Sequence, residues 1–169
     1  MTCSSMNIIV KKNYLYIAEF KLKCSIGKKG IKKNKIEGDK TTPKGKYQLG
    51  TLYYRKDRLK EIYCNINKKI IKKSYGWCND SKSKKYNKLI KINNKSKFTF
   101  EKLYRKDSRY DALILIKYNY PKPVKNFGSA IFLHLTKNYK PTDGCIALKK
   151  KDFIILAKII DKKTKIIIN

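Results

Sequence analysis

Two rhythms of apolar positions run along this chain. In the opening third, residues 7–11 and 14–26 read as a β-hairpin, with Lys12-Asn13 at its turn. In the second run Phe20, Leu22, Cys24 and Ile26 alternate with Lys21, Lys23 and Ser25, the period of a strand with one buried face. Gly27 and Gly30 break that pattern, and the turn formers of Gly38–Gly45 lead into a short strand over Tyr47 to Gly50. From about Tyr53 to Lys106 no clean period survives, which predicts long loops with short strands packed over a sheet. Ala112–Ile116 and Ala130–Leu133 are short unbroken apolar runs, the pattern of buried strands, and the second ends on His134. Between Asp152 and Asp161 the period changes. Phe153, Leu156, Ala157 and Ile160 are spaced by three and four, one face of a helix of about three turns. Residues 165–169 predict a closing strand. Many short strands and one helix predict a mainly β fold, as one domain over residues 1–169.

Composition changes this picture little, but charge raises a question. There are 43 Lys and Arg against 12 Asp and Glu, a net charge of +31. A surface this basic attracts polyanions, nucleic acid included. The lysines are spread from end to end, however, and Lys, Ile, Asn and Tyr all have A/T-rich codons, so the bland reading is compositional drift over a solvated surface. No specific nucleic-acid partner is expected. Five cysteines leave at least one unpaired in a monomer. Cys64 and Cys78 are open to pairing or to remaining free. With no CxxC pair and a single histidine, a structural metal site is not expected. Residues 1–10 lack the pattern of a secretory signal, and no apolar run approaches the ~20 residues of a membrane span. Oligomeric state is not legible.

The chemistry concentrates between His134 and Cys145. A thiol attacks a carbonyl as its thiolate, and an imidazole nearby can take the proton. Here the chain's one histidine ends a buried-type strand, and a loop of about ten residues can bring the cysteine back beside it. Gly144 permits close backbone approach, and the N–H groups of Gly144 and Cys145 are candidate oxyanion donors. Thr142 is placed to bond the loop or a substrate. The ordinary alternative stands beside this: cysteine is among the most buried residue types, and a lone histidine is commonly structural.

A resemblance sharpens the choice. Gly38-Asp39-Lys-Thr-Thr42-Pro43-Lys-Gly45, Ser129–His134 and Thr142-Asp143-Gly144-Cys145-Ile146 together resemble the catalytic domain of the L,D-transpeptidases, the YkuD family, over about residues 7–169. Gly76-Trp77-Cys78-Asn79-Asp80 and Tyr86-Asn87 resemble an insert of a compact subgroup. The resemblance implies a β-sandwich-like domain with a helix after the nucleophile, and no metal or organic cofactor. It implies that Cys145 takes the acyl group of a peptidoglycan tetrapeptide stem as a thioester and passes it to a diaminopimelate amine, giving a 3→3 cross-link. His134 would serve as base and acid, and Gly144, Thr142 and Asp143 would line the oxyanion and substrate site. A carboxypeptidase would use the same thioester and release it to water. Many members carry His at the position of Asp143 and Arg at that of Ala147. The family implies a periplasmic or envelope setting. Trp77 reads as a packing aromatic, and Asp39 and Thr42 as organisers of their own turn.

Overall fold

The computed structural model describes residues 6–169, so Cys3 and the first half of the N-terminal stretch lie outside it. Three short strands open the fold as a meander: β1 (Ile8–Lys11), β2 (Tyr14–Ile17) and β3 (Phe20–Ser25). The expected single run 14–26 is therefore two strands. Ala18, at φ 48°, turns the chain within it, and Ile17 pairs with Phe20. The alternation continues across so tight a turn, which hid it from the pattern.

β4 (Ile31–Lys32) and β5 (Thr42–Pro43) form a small parallel pair around the Gly38 loop. β6 (Gly45–Tyr54) is ten residues long, against the four predicted over Tyr47 to Gly50. Its partner β11 (Ala112–Ile116) slips register there, with Ile114 opposite Leu52 but Ile116 opposite Leu49. The extra residue in β6 is a bulge at Gly50-Thr51, and it puts both Leu49 and Leu52 on the core side. The broken period was the bulge, not the strand's end.

Hydrogen bonding continues through β12 (Phe132–Leu135), β13 (Ile146–Leu148) and β14 (Lys165–Ile168). The order β11-β12-β13-β3-β2-β1-β14-β6 returns to β11, and β7 (Lys68–Ile70) adds to the free edge of β6. This closed ring packs its inner faces as the two layers of a β-sandwich, with Ile8, Leu15, Ile114, Leu133, Ile146 and Ile166 between them. The helix α1 (Lys150–Ile159) seats Phe153, Leu156 and Ala157 on this core, the face its spacing predicts.

A second core lies outside the ring. β8 (Tyr75–Cys78), β9 (Leu89–Lys91) and β10 (Phe100–Lys102) form a three-stranded sheet in the middle segment. Trp77 packs edge-on against Phe132, with ring centroids 5.1 Å apart. Strands β11 and β12 are thus buried on both faces: Leu113, Leu115 and Phe132 point to this outer core while Ile114 and Leu133 point inward. That double burial explains their unbroken apolar runs. Trp77 is 1% exposed, a packing aromatic as expected. Cys24, Cys64, Cys78 and Cys145 are all free thiols, so Cys64 and Cys78 do not pair.

Candidate active site

The parallel pair β12–β13 sets the site. His134 lies opposite Ala147, and Leu133 opposite Ile146. Side chains alternate faces along a strand, so the inward Leu133, Leu135, Ile146 and Leu148 leave Phe132, His134, Cys145 and Ala147 for the outer face. The small Ala147 stands across from the imidazole. Tyr110 packs edge-on against both Phe132 and His134, at 5.9 and 5.2 Å between centroids. His134 and Cys145 both line a cleft of about 1630 Å³, along whose walls Lys and Arg outnumber carboxylates two to one.

His134 is 5% exposed, and its Nδ1 lies 2.9 Å from the Leu135 carbonyl oxygen. A carbonyl only accepts, so Nδ1 carries the hydrogen and Nε2 is the bare nitrogen of the neutral ring. Burial lowers its pKa to about 4, helped by the nearby Arg105 and Arg109 charges and opposed by the bond to Leu135. The Cys145 thiol donates to Ala130 O at 3.2 Å and accepts from Phe132 N–H at 3.3 Å. Its hydrogen bonds go to these backbone groups and not to His134. Burial pushes the thiol up to about 12, and the Glu101 charge adds to that. At rest the Cys145 thiol and the His134 imidazole are therefore both neutral. Glu101 itself is raised by burial, although the Tyr110 hydroxyl donates to it at 2.5 Å.

The Gly38–Gly45 loop supports this wall. Asp39 accepts from Ile36 N–H, Thr41 N–H and the Thr41 hydroxyl, and Lys35 Nζ lies 2.6 Å from its Oδ1. Burial alone would raise the Asp39 carboxyl, but these donors outweigh it and hold it well below the usual range. Asp39 thus organises its own turn, as expected. Thr42 does not stop there. Fully buried, its Oγ1 accepts from Gly27 N–H at 2.8 Å and donates to Gly144 O at 2.9 Å, across 102 residues of chain.

Of the remaining predicted site residues, Thr142 donates to Cys145 O at 2.5 Å and accepts from Gly144 N–H at 3.1 Å. The Gly144 amide is thus spent inside the loop, which leaves Cys145 N–H as the candidate oxyanion donor of the two. Gly144 has φ 141°, and a Cβ there would lie 2.9 Å from Thr41 O. Asp143 is exposed, 3.5 Å from Lys28 Nζ at the cleft's rim.

Asn87 holds the thiol's acceptor in place. It is 1% exposed, and its Oδ1 accepts from Trp77 Nε1–H at 2.8 Å and Ala130 N–H at 3.0 Å. Its Nδ2 donates to Tyr118 O and Asn119 O. Ala130 sits at φ 53°, unusual for a side-chain-bearing residue, and this anchoring aims its carbonyl at Cys145. Sequence reasoning singled out Tyr86-Asn87 without a role. It missed Lys35, Glu101, Arg105, Arg109 and Tyr110 altogether. Lys35 offered one faint signal, its i,i+4 spacing to Asp39, lost among the other basic residues.

The structure is a mainly β fold with a buried cysteine and a buried histidine on one wall of a basic cleft. The sequence pattern of the YkuD family, described as the L,D-transpeptidase catalytic domain, matches residues 6–168, and the chain belongs to that family. Among solved structures it is similar to the helical cell shape determining protein Pgp2 (K307A mutant) from Campylobacter jejuni, at 18% identity and a TM-score of 0.46. That match covers 98% of this chain and 48% of the other, so the chain spans about half of that protein's length. No curated protein sequence matches the chain.

Proposed function

We propose that the protein is a cysteine acyltransferase of the L,D-transpeptidase type, acting on peptidoglycan stem peptides in the cell envelope. One observation carries this reading: His134 on β12 and Cys145, the residue just before its parallel partner β13, both line the wall of one cleft. The family supplies the substrate class. The basic walls suit a peptide that carries several carboxylates.

The neutral dyad sets the order of events. A thiolate–imidazolium pair is disfavoured in so dry a site before substrate arrives. The thiol leaves Ala130 O and turns toward His134, whose bare Nε2 takes the proton as Sγ bonds to the diaminopimelate carbonyl carbon. The carbonyl π pair moves onto oxygen, where Cys145 N–H receives it. His134 then returns the proton to the departing D-alanine nitrogen, leaving a thioester on Cys145. A diaminopimelate amine of a second stem attacks that thioester and gives a proton to His134; the C–S bond breaks as the amide forms, and the Cys145 thiolate takes that proton back. Leu135 O holds Nδ1–H throughout, so Nε2 remains the working nitrogen.

Intact-protein mass spectrometry with a stem tetrapeptide tests the assignment. A thioester adduct is expected on the native protein and on Cys64→Ala and Cys78→Ala, and not on Cys145→Ala. An adduct surviving on Cys145→Ala would sink it. Product analysis with an acceptor peptide separates transfer from hydrolysis: cross-linked dimer marks the transpeptidase, and free tripeptide alone marks the carboxypeptidase.

A further inference from the structure

Tetrahedral addition puts a negative charge on the substrate oxygen, and the site as described offers that charge few donors. Gly144 N–H is spent on Thr142, so Cys145 N–H stands alone of the two loop amides. Lys35 lies beside the same loop. Its side chain is 3% exposed, and it enters through space that two glycines leave open. A Cβ on Gly128 would lie 2.9 Å from Lys35 Cε, and one on Gly144 would lie 3.4 Å from Lys35 Nζ. An ammonium has three N–H donors. One goes to Asp39 Oδ1 at 2.6 Å, and the other two have no hydrogen-bond partner among the described residues. Burying a lysine this deeply is costly unless its charge is used or compensated. Asp39 compensates it in part, but that carboxylate is shared with Ile36 N–H and Thr41. The Lys35 charge also reaches Cys145, where it opposes the rise in the thiol's pKa.

We infer that Lys35 is a further catalytic residue, the charged donor to the oxyanion formed when Cys145 adds to the substrate carbonyl. This rests on the acyl-transfer reading above. In that step the Sγ–C bond forms, the thiol proton passes to His134 Nε2, and the C=O π pair becomes the oxyanion facing Cys145 N–H and Lys35 Nζ. Asp39 holds the ammonium in place, so the Gly38–Gly45 loop brings a charge to the reaction as well as a scaffold.

The test uses the full chain and removes both charges of the buried pair at once, as Lys35→Met with Asp39→Asn, so that no lone charge remains inside. Asp39→Asn alone is the control that retains the lysine. The expected result for the double variant is a fall of about 10²–10³-fold in kcat for acylation by a stem tetrapeptide, with KM nearly unchanged. A tripeptide aldehyde, which adds to Cys145 and places its oxygen in the same position, should lose affinity by a similar factor. Binding of the tetrapeptide to the Cys145→Ala protein should be the same with and without the two changes. If the double variant does not fold, Lys35→Gln, which keeps a neutral donor for Asp39, is subjected to the same three measurements. Acylation within about threefold of the native rate would overturn the inference, as would equal losses in tetrapeptide and aldehyde binding, the mark of a merely structural lysine. If the native protein forms no adduct with the tetrapeptide, the acyl-transfer reading falls and takes this one with it. If the native protein reacts and the variants keep pace, only the role of Lys35 falls.

Discussion

Replacing Thr42 by valine keeps the side chain's shape and deletes its hydroxyl. That hydroxyl serves two buried backbone groups, Gly27 N–H at 2.8 Å and Gly144 O at 2.9 Å. Thr42 is fully buried, so no water replaces it. Leaving a buried donor or acceptor unpaired costs about 1–3 kcal/mol, and two such groups put Thr42→Val at roughly 2–6 kcal/mol. Thr42→Ser keeps the hydroxyl and loses one methyl, about 1 kcal/mol. Urea unfolding measures both. With a slope of about 2 kcal/mol/M, the midpoint should fall by roughly 1–3 M for valine and about 0.5 M for serine, with the slope unchanged. Acylation by a stem peptide should follow the same order, because the Thr42 bond fixes the carbonyl of Gly144, the residue before Cys145. A valine variant as stable as the serine variant would refute the reasoning, since the bridge between the two motifs would then contribute nothing.

Stability should also rise with pH between about 4 and 6.5. The folded His134 binds its proton only near pH 4, whereas the unfolded imidazole binds at 6.5, so the unfolded chain takes up more protons in that window. The effect reaches about 3 kcal/mol at most, and His134→Gln should flatten denaturant midpoints over that range. Above pH 9 the order reverses: the unfolded Cys145 thiol ionises first while the folded one holds its proton to about 12, so stability falls, and Cys145→Ala should reduce the alkaline slope. Asn87→Ala orphans Trp77 Nε1–H and Ala130 N–H and should cost more than about 3 kcal/mol in urea unfolding. Gly144→Ala puts a Cβ 2.9 Å from Thr41 O at φ 141°, and about 2–5 kcal/mol of strain and overpacking should lower the thermal midpoint.

The second core gives the middle segment its purpose. Trp77 caps Phe132 and binds Asn87, Asn87 fixes Ala130, and Ala130 O holds the thiol. A segment with no clean period therefore shapes the surroundings of Cys145. Its residues answer to contacts with distant strands, which a local period does not record.

Local physics in the sequence was enough for much of this protein. Period-two alternation marked β3, unbroken apolar runs marked β11 and β12, and three–four spacing marked α1, because burial on one or two faces dictates those patterns. Gly144-Cys145 and the lone His134 formed a candidate pair, which the resemblance carried by Gly38–Gly45 singled out from the ordinary alternative. Other features needed the tertiary structure. The bulge in β6 is a matter of register with β11, and the Ala18 turn leaves the alternation intact. Thr42 reaches Gly144 across 102 residues, and Lys35 becomes special only because two distant glycines leave it room to be buried. Each of these depends on which surfaces meet, and that is fixed by closure of the strand ring, not by the residues on either side.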